Sequence, residues 1–451
     1  MDLGFETIGN ATLVVHDHGP LLATDPWIEG SAYFGSWGLS HEIPAEQREA
    51  ILASPHLWFS HGHPDHLSAD SLERLRGKTV LLPDHVGGRI RHDLEAMGEK
   101  VRVLPDRRWV SLSDRVRVLS FSDDYQDGVL LVDLGGTLVV DLNDASDRGW
   151  HGFVRAQVRR FERSYLLALA GGGDTDMFHF FGEDGRPIVP EPQDLPGKKL
   201  AALARRFGVR SVVPFSSMHR YQRRDSLWAA DHTVGVADFA RGFDGAAELL
   251  PAFVRMDVAR NLAIPIDPPR AAARILEPEE CGDRWSDPLE AEEVARLERA
   301  FRSLERLADG VRYVRFRVGG REHTIDLGRR APDRGVTFEA PRASLMKAID
   351  GRFFDDLLIG NFMKTTLHGK WPATGLYPDF SPWIAKVADQ GGARSRAEVA
   401  RYLDAYRRRA PLEFLKHRFL ERTRAVVTSR LRPGSAPHAA ARRAYRLIKG
   451  G

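Results

Sequence analysis

The stretch His61-Gly62-His63-Pro64-Asp65-His66 decides how this chain is read. His61 and His63 are two positions apart, so on an extended segment both imidazoles point the same way. Asp65 and His66 follow at once and add a carboxylate and a third imidazole. Residues 57–60 read as a short strand running into the motif, and residues 68–75 as the start of a helix. A strand end that releases these four donors can serve two adjacent metal ions, His61 and His63 at one, Asp65 and His66 at the other. Imidazole suits zinc and iron, and carboxylate suits harder ions. A polar loop with scattered histidines would not keep this order and spacing.

Outward from the motif, short apolar strands alternate with turns and helix-like stretches. Residues 11–16 and 21–25 suggest a hairpin around Gly19-Pro20. Strands are predicted over 78–82 and 100–104, with a helix over 86–97 between them. Three more strands, 115–122, 129–134 and 137–142, are separated by Asp127-Gly128 and Gly135-Gly136. A helix over 195–207 and a strand over 211–215 complete a layered α/β pattern. Residues 262–274, with Ile264-Pro265-Ile266-Asp267-Pro268-Pro269, read as a linker. Beyond it the spacing predicts a helix over 290–308, a hairpin of 311–318 and 321–327 joined by Gly319-Gly320, and a helix over 343–350. The division is therefore 1–262 for a metal-binding domain, 275–390 for a smaller α+β domain, and 391–451 for an Arg-rich helical tail.

Bulk properties narrow the class. The chain has 451 residues, 43% hydrophobic and 28% charged, enough for a sizeable core. A formal net charge of +3 gives no argument for nucleic acid. Cys281 is the only cysteine, so neither an internal disulfide nor a four-cysteine zinc or iron–sulfur site can form. A Rieske cluster needs two cysteines and is excluded as well. Any metal must rest on histidines and carboxylates. The first residues, Met1-Asp2-Leu3-Gly4-Phe5-Glu6, lack signal-peptide character, and no run approaches the roughly 18 apolar residues of a membrane span. The expected location is the cytoplasm.

The motif and its surroundings resemble the metallo-β-lactamase superfamily over about residues 1–260. The resemblance implies an αββα sandwich with metals at one edge. Asp25, in Thr24-Asp25-Pro26-Trp27, is similar to the family's early structural aspartate. Asp144, in Leu142-Asn143-Asp144, resembles the aspartate that bridges both metals. His219, after Val213-Pro214-Phe215-Ser216-Ser217-Met218, resembles the last ligand. The family's histidine between the first motif and the bridging aspartate is missing. Ser122-Asp123-Asp124-Tyr125-Gln126-Asp127-Gly128 stands there instead, and the usual offset implies Asp124 as the substitute, with Asp123 and Asp127 as alternatives.

A carboxylate in that place enriches the site in oxygen donors and suits iron as well as zinc or manganese. The region of Asp144, the strand leading to His219, and Asp356-Leu357-Leu358-Ile359-Gly360-Asn361-Phe362 are also similar to CMP-N-acetylneuraminate hydroxylase-like proteins, whose Rieske domain has no counterpart here. The implied activity is that of a non-heme diiron monooxygenase, in which dioxygen is co-substrate, a small molecule is hydroxylated and electrons come from an external donor. The substrate would be a natural-product or carrier-linked compound. On that view His61, His63 and Asp124 hold one iron, Asp65, His66 and His219 hold the other, and Asp144 lies between. The alternative is a binuclear hydrolase of a phosphodiester, lactone or amide, in which two metals lower the pKa of a bridging water.

Other features carry weaker expectations. Arg220 and Tyr221, with Arg223 and Arg224 beyond, could meet an anionic group of the substrate, since guanidinium forks pair with such anions; a solvated basic loop explains them equally. Gly171-Gly172-Gly173-Asp174-Thr175-Asp176 reads as a loop near the metal edge, and His179 as a core or pocket-wall residue. Trp27, Tyr33 and Trp37 are expected in ordinary packing or along an apolar pocket. The second domain resembles a sterol-carrier-like fold, expected to shape an apolar pocket, to act as a lid, or to mediate a homodimer.

Overall fold

The computed structural model describes residues 1–171, 179–188, 195–328, 332–372 and 374–430, without the side chains of 422 and 424–430. The glycine-rich stretch noted above lies, from Gly172 on, outside the described residues. Two mixed sheets face each other in the first half. One has eight strands in the order Leu262–Pro265, Val254–Asp257, Leu3–Ile8, Thr12–Asp17, Pro20–Thr24, His56–Trp58, Thr79–Leu82 and Lys100–Val103. The other has seven, in the order Glu248–Leu249, Ser211–Phe215, Arg163–Leu169, Thr137–Asp141, Gly128–Leu134, Val116–Ser122 and Trp109–Ser111.

The period-two alternation of strand side chains builds the layers. Along Gly128–Leu134, Leu130, Val132 and Leu134 enter the core between the sheets with Phe5, Leu13, Val15 and Trp58. Val129 and Leu131 point the other way, into the core shared with Val154, Leu200 and Phe207 of the helices His151–Val158 and Pro196–Phe207. On the first sheet, Val14, Ala23 and Leu57 pack with Ala50 and Ile51 of the helix Ala45–Ala53. The result is the αββα sandwich that the resemblance implied.

Each sheet is antiparallel on one side and parallel on the other. Pro20–Thr24, His56–Trp58, Thr79–Leu82 and Lys100–Val103 run parallel, as do Thr137–Asp141, Arg163–Leu169, Ser211–Phe215 and Glu248–Leu249. Parallel neighbours need crossover connections, so their carboxyl ends open on one edge, the usual place for a site in such sheets. Asp25, the histidine motif, Asp144 and Ser216 all follow those carboxyl ends.

The second half has a five-stranded sheet, in the order Phe180–Phe181, Lys364–His368, Gly335–Glu339, Tyr313–Val318 and Arg321–Asp326. Its first strand comes from the other half of the chain and pairs parallel with Lys364–His368, so this sheet ties the two halves together. The hairpin turns at Gly319-Gly320, both with positive φ. A Cβ on Gly319 would sit 2.4 Å from the nitrogen of Pro288. Phe301, Phe316, Phe338 and Phe354 make the aromatic centre of this core, with Phe301 and Phe316 at 5.0 Å and Phe338 and Phe354 at 5.1 Å.

Two boundaries differ from expectation. The stretch read as a linker begins with Leu262–Pro265, an edge strand on Val254–Asp257. Its outer position tolerates Pro265 and leaves Leu262 and Ile264 exposed. The helix expected over 290–308 ends at Arg302, because Leu304 and Leu307 turn back into the second core. It starts with a capping box of Glu290 and Glu293. In the tail, Arg396–Arg409 and Pro411–Arg430 are separate helices, broken where Pro411 has no N–H to continue the ladder.

Candidate metal centre

The histidine motif is held from behind by Asp25. Its Oδ1 accepts from the Ser60 backbone N–H at 2.8 Å, and its Oδ2 from the Ser60 hydroxyl at 2.6 Å and from Asn143 Nδ2. The same Oδ2 lies 3.1 Å from His66 Nδ1, which fixes that ring with Nε2 facing the centre. Gly128 closes against the motif: its N–H donates to the Ser60 carbonyl at 3.0 Å, and a Cβ there would stand 2.6 Å from that oxygen. Asp25, Asn143, Ser216 and Ser217 all have positive φ, between 39° and 59°. Non-glycine residues held in this region gather where a site over-determines the backbone.

The side chains converge in two adjoining groups. His61, His66 and Asp144 each offer a donor atom within 4.8 Å of the others, and so do His63, Asp355 and Asp356. His61 Nε2 and His63 Nδ1, 2.8 Å apart, join the groups. His66 Nε2 is 3.2 Å from Asp144 Oδ2 and 3.3 Å from Asp65 Oδ2. Asp65 is itself oriented by Tyr33, whose hydroxyl donates to Oδ1 at 2.5 Å, and by Asn10, whose Nδ2 donates to Oδ2 at 2.9 Å. Ser216 donates to Asp144 Oδ1 at 3.0 Å. On the far side, His63 Nε2 meets Asp355 Oδ2 at 2.9 Å.

The electrostatics favour a cation. Burial lowers the His61 imidazole well below its ordinary value, and His66 and His63 lower it further. Burial opposes charge on His66 too, yet Asp65 and Asp144 hold it well above the ordinary range. Burial would raise Asp144, but His66 outweighs it and keeps the carboxyl low. Asp355 is likewise held low against burial by His63. Asp356 is pushed well above the carboxylate range by burial, then by Asp355 and Asp65, and its Oδ1 is buried with no hydrogen-bond partner among the described residues. Three imidazoles beside Asp65, Asp144, Asp355 and Asp356 form a donor set that fits iron, zinc or manganese.

Of the residues expected from the sequence, His61, His63, Asp65, His66 and Asp144 come together here. His219 lies beside them, with Asp65 and Asp144 bearing on its ring, while burial lowers it to about 4. That ring is stacked on Trp37 at 3.3 Å between centroids, and neither donor group includes it. Asp124 is elsewhere. Its carboxylate accepts from Arg148 Nε at 2.6 Å and Nη2 at 3.1 Å, with Arg418 at 3.6 Å. The alternatives are engaged too: Asp123 accepts from Trp150 Nε1 at 2.9 Å, and Asp127 from Lys386 Nζ at 2.8 Å. A bidentate guanidinium on a buried carboxylate is a strong, directional pair. The acids facing His63 are instead Asp355 and Asp356, from the second half.

The similarity to hydroxylase-like proteins runs through Asp356-Leu357-Leu358-Ile359-Gly360-Asn361-Phe362 without implying a ligand there. The available signal was two adjacent acids opening the apolar run Asp355-Asp356-Leu357-Leu358-Ile359, all of it buried. Arg220 Nη1 reaches the Ala271 carbonyl at 3.4 Å, and the Tyr221 hydroxyl accepts from Asn361 Nδ2 at 2.7 Å. Arg223 is fully buried between Asp225 and Asp283, each at 2.8 Å, and Arg224 pairs with Glu277 at 2.6 Å. Trp27, Tyr33 and Trp37 pack with Tyr221 and Ile359 in one buried cluster. His179 rests on Trp228 at 4.3 Å, a packing role.

No family model matches the chain. By sequence it is similar to cytidine monophosphate-N-acetylneuraminic acid hydroxylase of Danio rerio, 29% identical over 131 residues, which is 27% of this chain and 22% of that protein. The enzyme of Asterias rubens is 28% identical over 136 residues, 28% of this chain and 21% of that one. The chain thus spans about a fifth of the length of these curated relatives. Among solved structures it is similar to Igni18, a metallo hydrolase from Ignicoccus hospitalis, with a TM-score of 0.38 and 10% identity over 59% of this chain and 99% of that one. It is also similar to CmlA, a diiron β-hydroxylase from Streptomyces venezuelae, with a TM-score of 0.37 and 16% identity over 57% of this chain and 54% of that one.

Proposed function

We propose that the chain is a non-heme diiron monooxygenase that hydroxylates a small-molecule substrate with dioxygen and electrons from an external donor. The observation that carries this is the donor set at the first position. His61, His66 and Asp144 supply two imidazoles and one carboxylate, a combination suited to oxygen-activating iron. The limited sequence similarity to hydroxylases supports the same reading. His63 stands beside this position as a donor for a second ion. Bound iron would supply the redox chemistry, in which dioxygen, two electrons and two protons convert a C–H bond to C–OH and release water.

The chain's own groups do the positioning. Asp25 fixes the His66 ring through Nδ1, so that Nε2 faces inward. Tyr33 and Asn10 aim the Asp65 carboxylate, and Ser216 aims Asp144. Outer partners of this kind orient ligands and tune their basicity. Tyr33, Trp37 and Tyr221 share one buried cluster beside the centre.

The test is elemental analysis of protein from cells supplied with both iron and zinc, with optical spectra before and after reduction and exposure to oxygen. About two irons per chain and an oxygen-sensitive spectrum are expected. Two zincs, a silent spectrum and no oxygen uptake would overturn the monooxygenase and return the site to hydrolysis.

A further inference from the structure

We infer that the second metal position is assembled from both halves of the chain, His63 from the motif and Asp355 with Asp356 from the second half, so that a bound divalent cation clamps the halves together. This rests on reading the His61, His66 and Asp144 group as a metal position. Donor atoms of His63, Asp355 and Asp356 lie within 4.8 Å of one another, and His63 Nε2 is 2.9 Å from Asp355 Oδ2. Both aspartates are more than nine-tenths buried. Among the described residues Asp356 Oδ1 has no hydrogen-bond partner. A buried carboxylate oxygen without a partner is costly, and coordination to a cation removes the cost.

The surroundings leave that role open. The nearby buried cation Lys386 already donates to Asp127 at 2.8 Å. Asp65, which also bears on Asp356, adds negative charge. The backbone before the acids is held in place from the first half: Arg89 donates to the carbonyls of Gly351 at 2.6 Å and Asp389 at 2.8 Å, and also to that of Arg352. Asp389 Oδ2 accepts from the Phe354 N–H at 3.0 Å. The two carboxylates are therefore presented to His63 by a braced segment.

The experiment counts ions in the full-length protein, wild type and D355N/D356N, loaded with ferrous iron or with zinc and dialysed against metal-free buffer. About two ions per chain are expected in the wild type and about one in the variant, since the double change leaves that donor group only the His63 imidazole. Chelation of the wild type is expected to quicken amide hydrogen exchange in residues 353–363 at least tenfold. If the double variant does not fold, D356N alone carries the test, with at least tenfold weaker binding of the second ion in competition with a chelator. Two tightly held ions in the variants, or exchange unchanged on chelation, would overturn the inference and leave the first position standing. A wild-type chain that binds no ion would overturn both.

Discussion

At the residue scale, Asp25 is the side chain on which most of the centre leans. It satisfies the Ser60 backbone and hydroxyl, Asn143 and His66 at once. Replacing it with alanine strands these donors in a buried place and frees the His66 ring. For Asp25→Ala we expect a loss of about 3–5 kcal/mol in denaturant unfolding, the usual result of breaking a buried charged network. Metal affinity should fall by about 10–100-fold in chelator competition, as for outer partners of ligands elsewhere. Unchanged metal affinity would show that the aspartate serves the fold alone. The resemblance marked Asp25 as a structural aspartate, and its partners come from two separate segments, Ser60 with His66 and Asn143.

At the scale of one element, the π-helical segment Pro382–Gln390 carries Asp389 into the interior. Burial raises its carboxyl from 3.8 to about 7, with the Phe354 N–H pulling the other way. The folded chain therefore keeps a proton that the unfolded chain has released between those two values. Stability contributed by this group is present at low pH and is lost as pH rises toward 7, then stays flat. The loss is on the order of 4 kcal/mol at full burial, at 1.36 kcal/mol per pH unit. Asp389→Asn should flatten that slope, so urea unfolding should favour the variant more at pH 8 than at pH 5. A gain of equal size at both values would argue against titration of Asp389. No spacing rule finds this residue, because a π-helical turn has no simple hydrophobic period.

At the scale of the whole molecule, the second half is docked on the metal edge by buried polar contacts as well as by apolar ones. Lys386 pairs with Asp127, Gln126 Nε2 donates to the Tyr402 hydroxyl at 3.0 Å, and that hydroxyl donates to the Asp124 carbonyl at 2.8 Å. Lys386→Met leaves Asp127 charged and buried without its partner, and should cost about 3–5 kcal/mol. The pair K386M/D127L removes both charges and should lie within about 1 kcal/mol of the wild type, since buried pairs are often near neutral against apolar replacements. Thermal unfolding of both variants and the Asp127→Leu single tests this, and additive losses would argue against coupling across the interface. The same docking accounts for Asp124. With Arg148, Arg418 and Tyr402 around it, it serves the junction between the halves.

Asp144 entered only through the resemblance, but the layered α/β character of the first half, the strand that ends at the histidine motif, and the grouping of His61, His63, Asp65 and His66 were legible in the sequence itself. These follow from local period and from residues within a few positions of one another, where short connections fix direction. Tertiary structure alone decided which acids face His63. Asp355 and Asp356 are almost 300 positions away, as the separation of 292 between His63 and Asp355 records, and only packing of the second half against the first brings them in. It also decided the placement of Asp124, since a carboxylate goes to whichever cation the fold sets beside it, and that choice is made by contacts between distant segments.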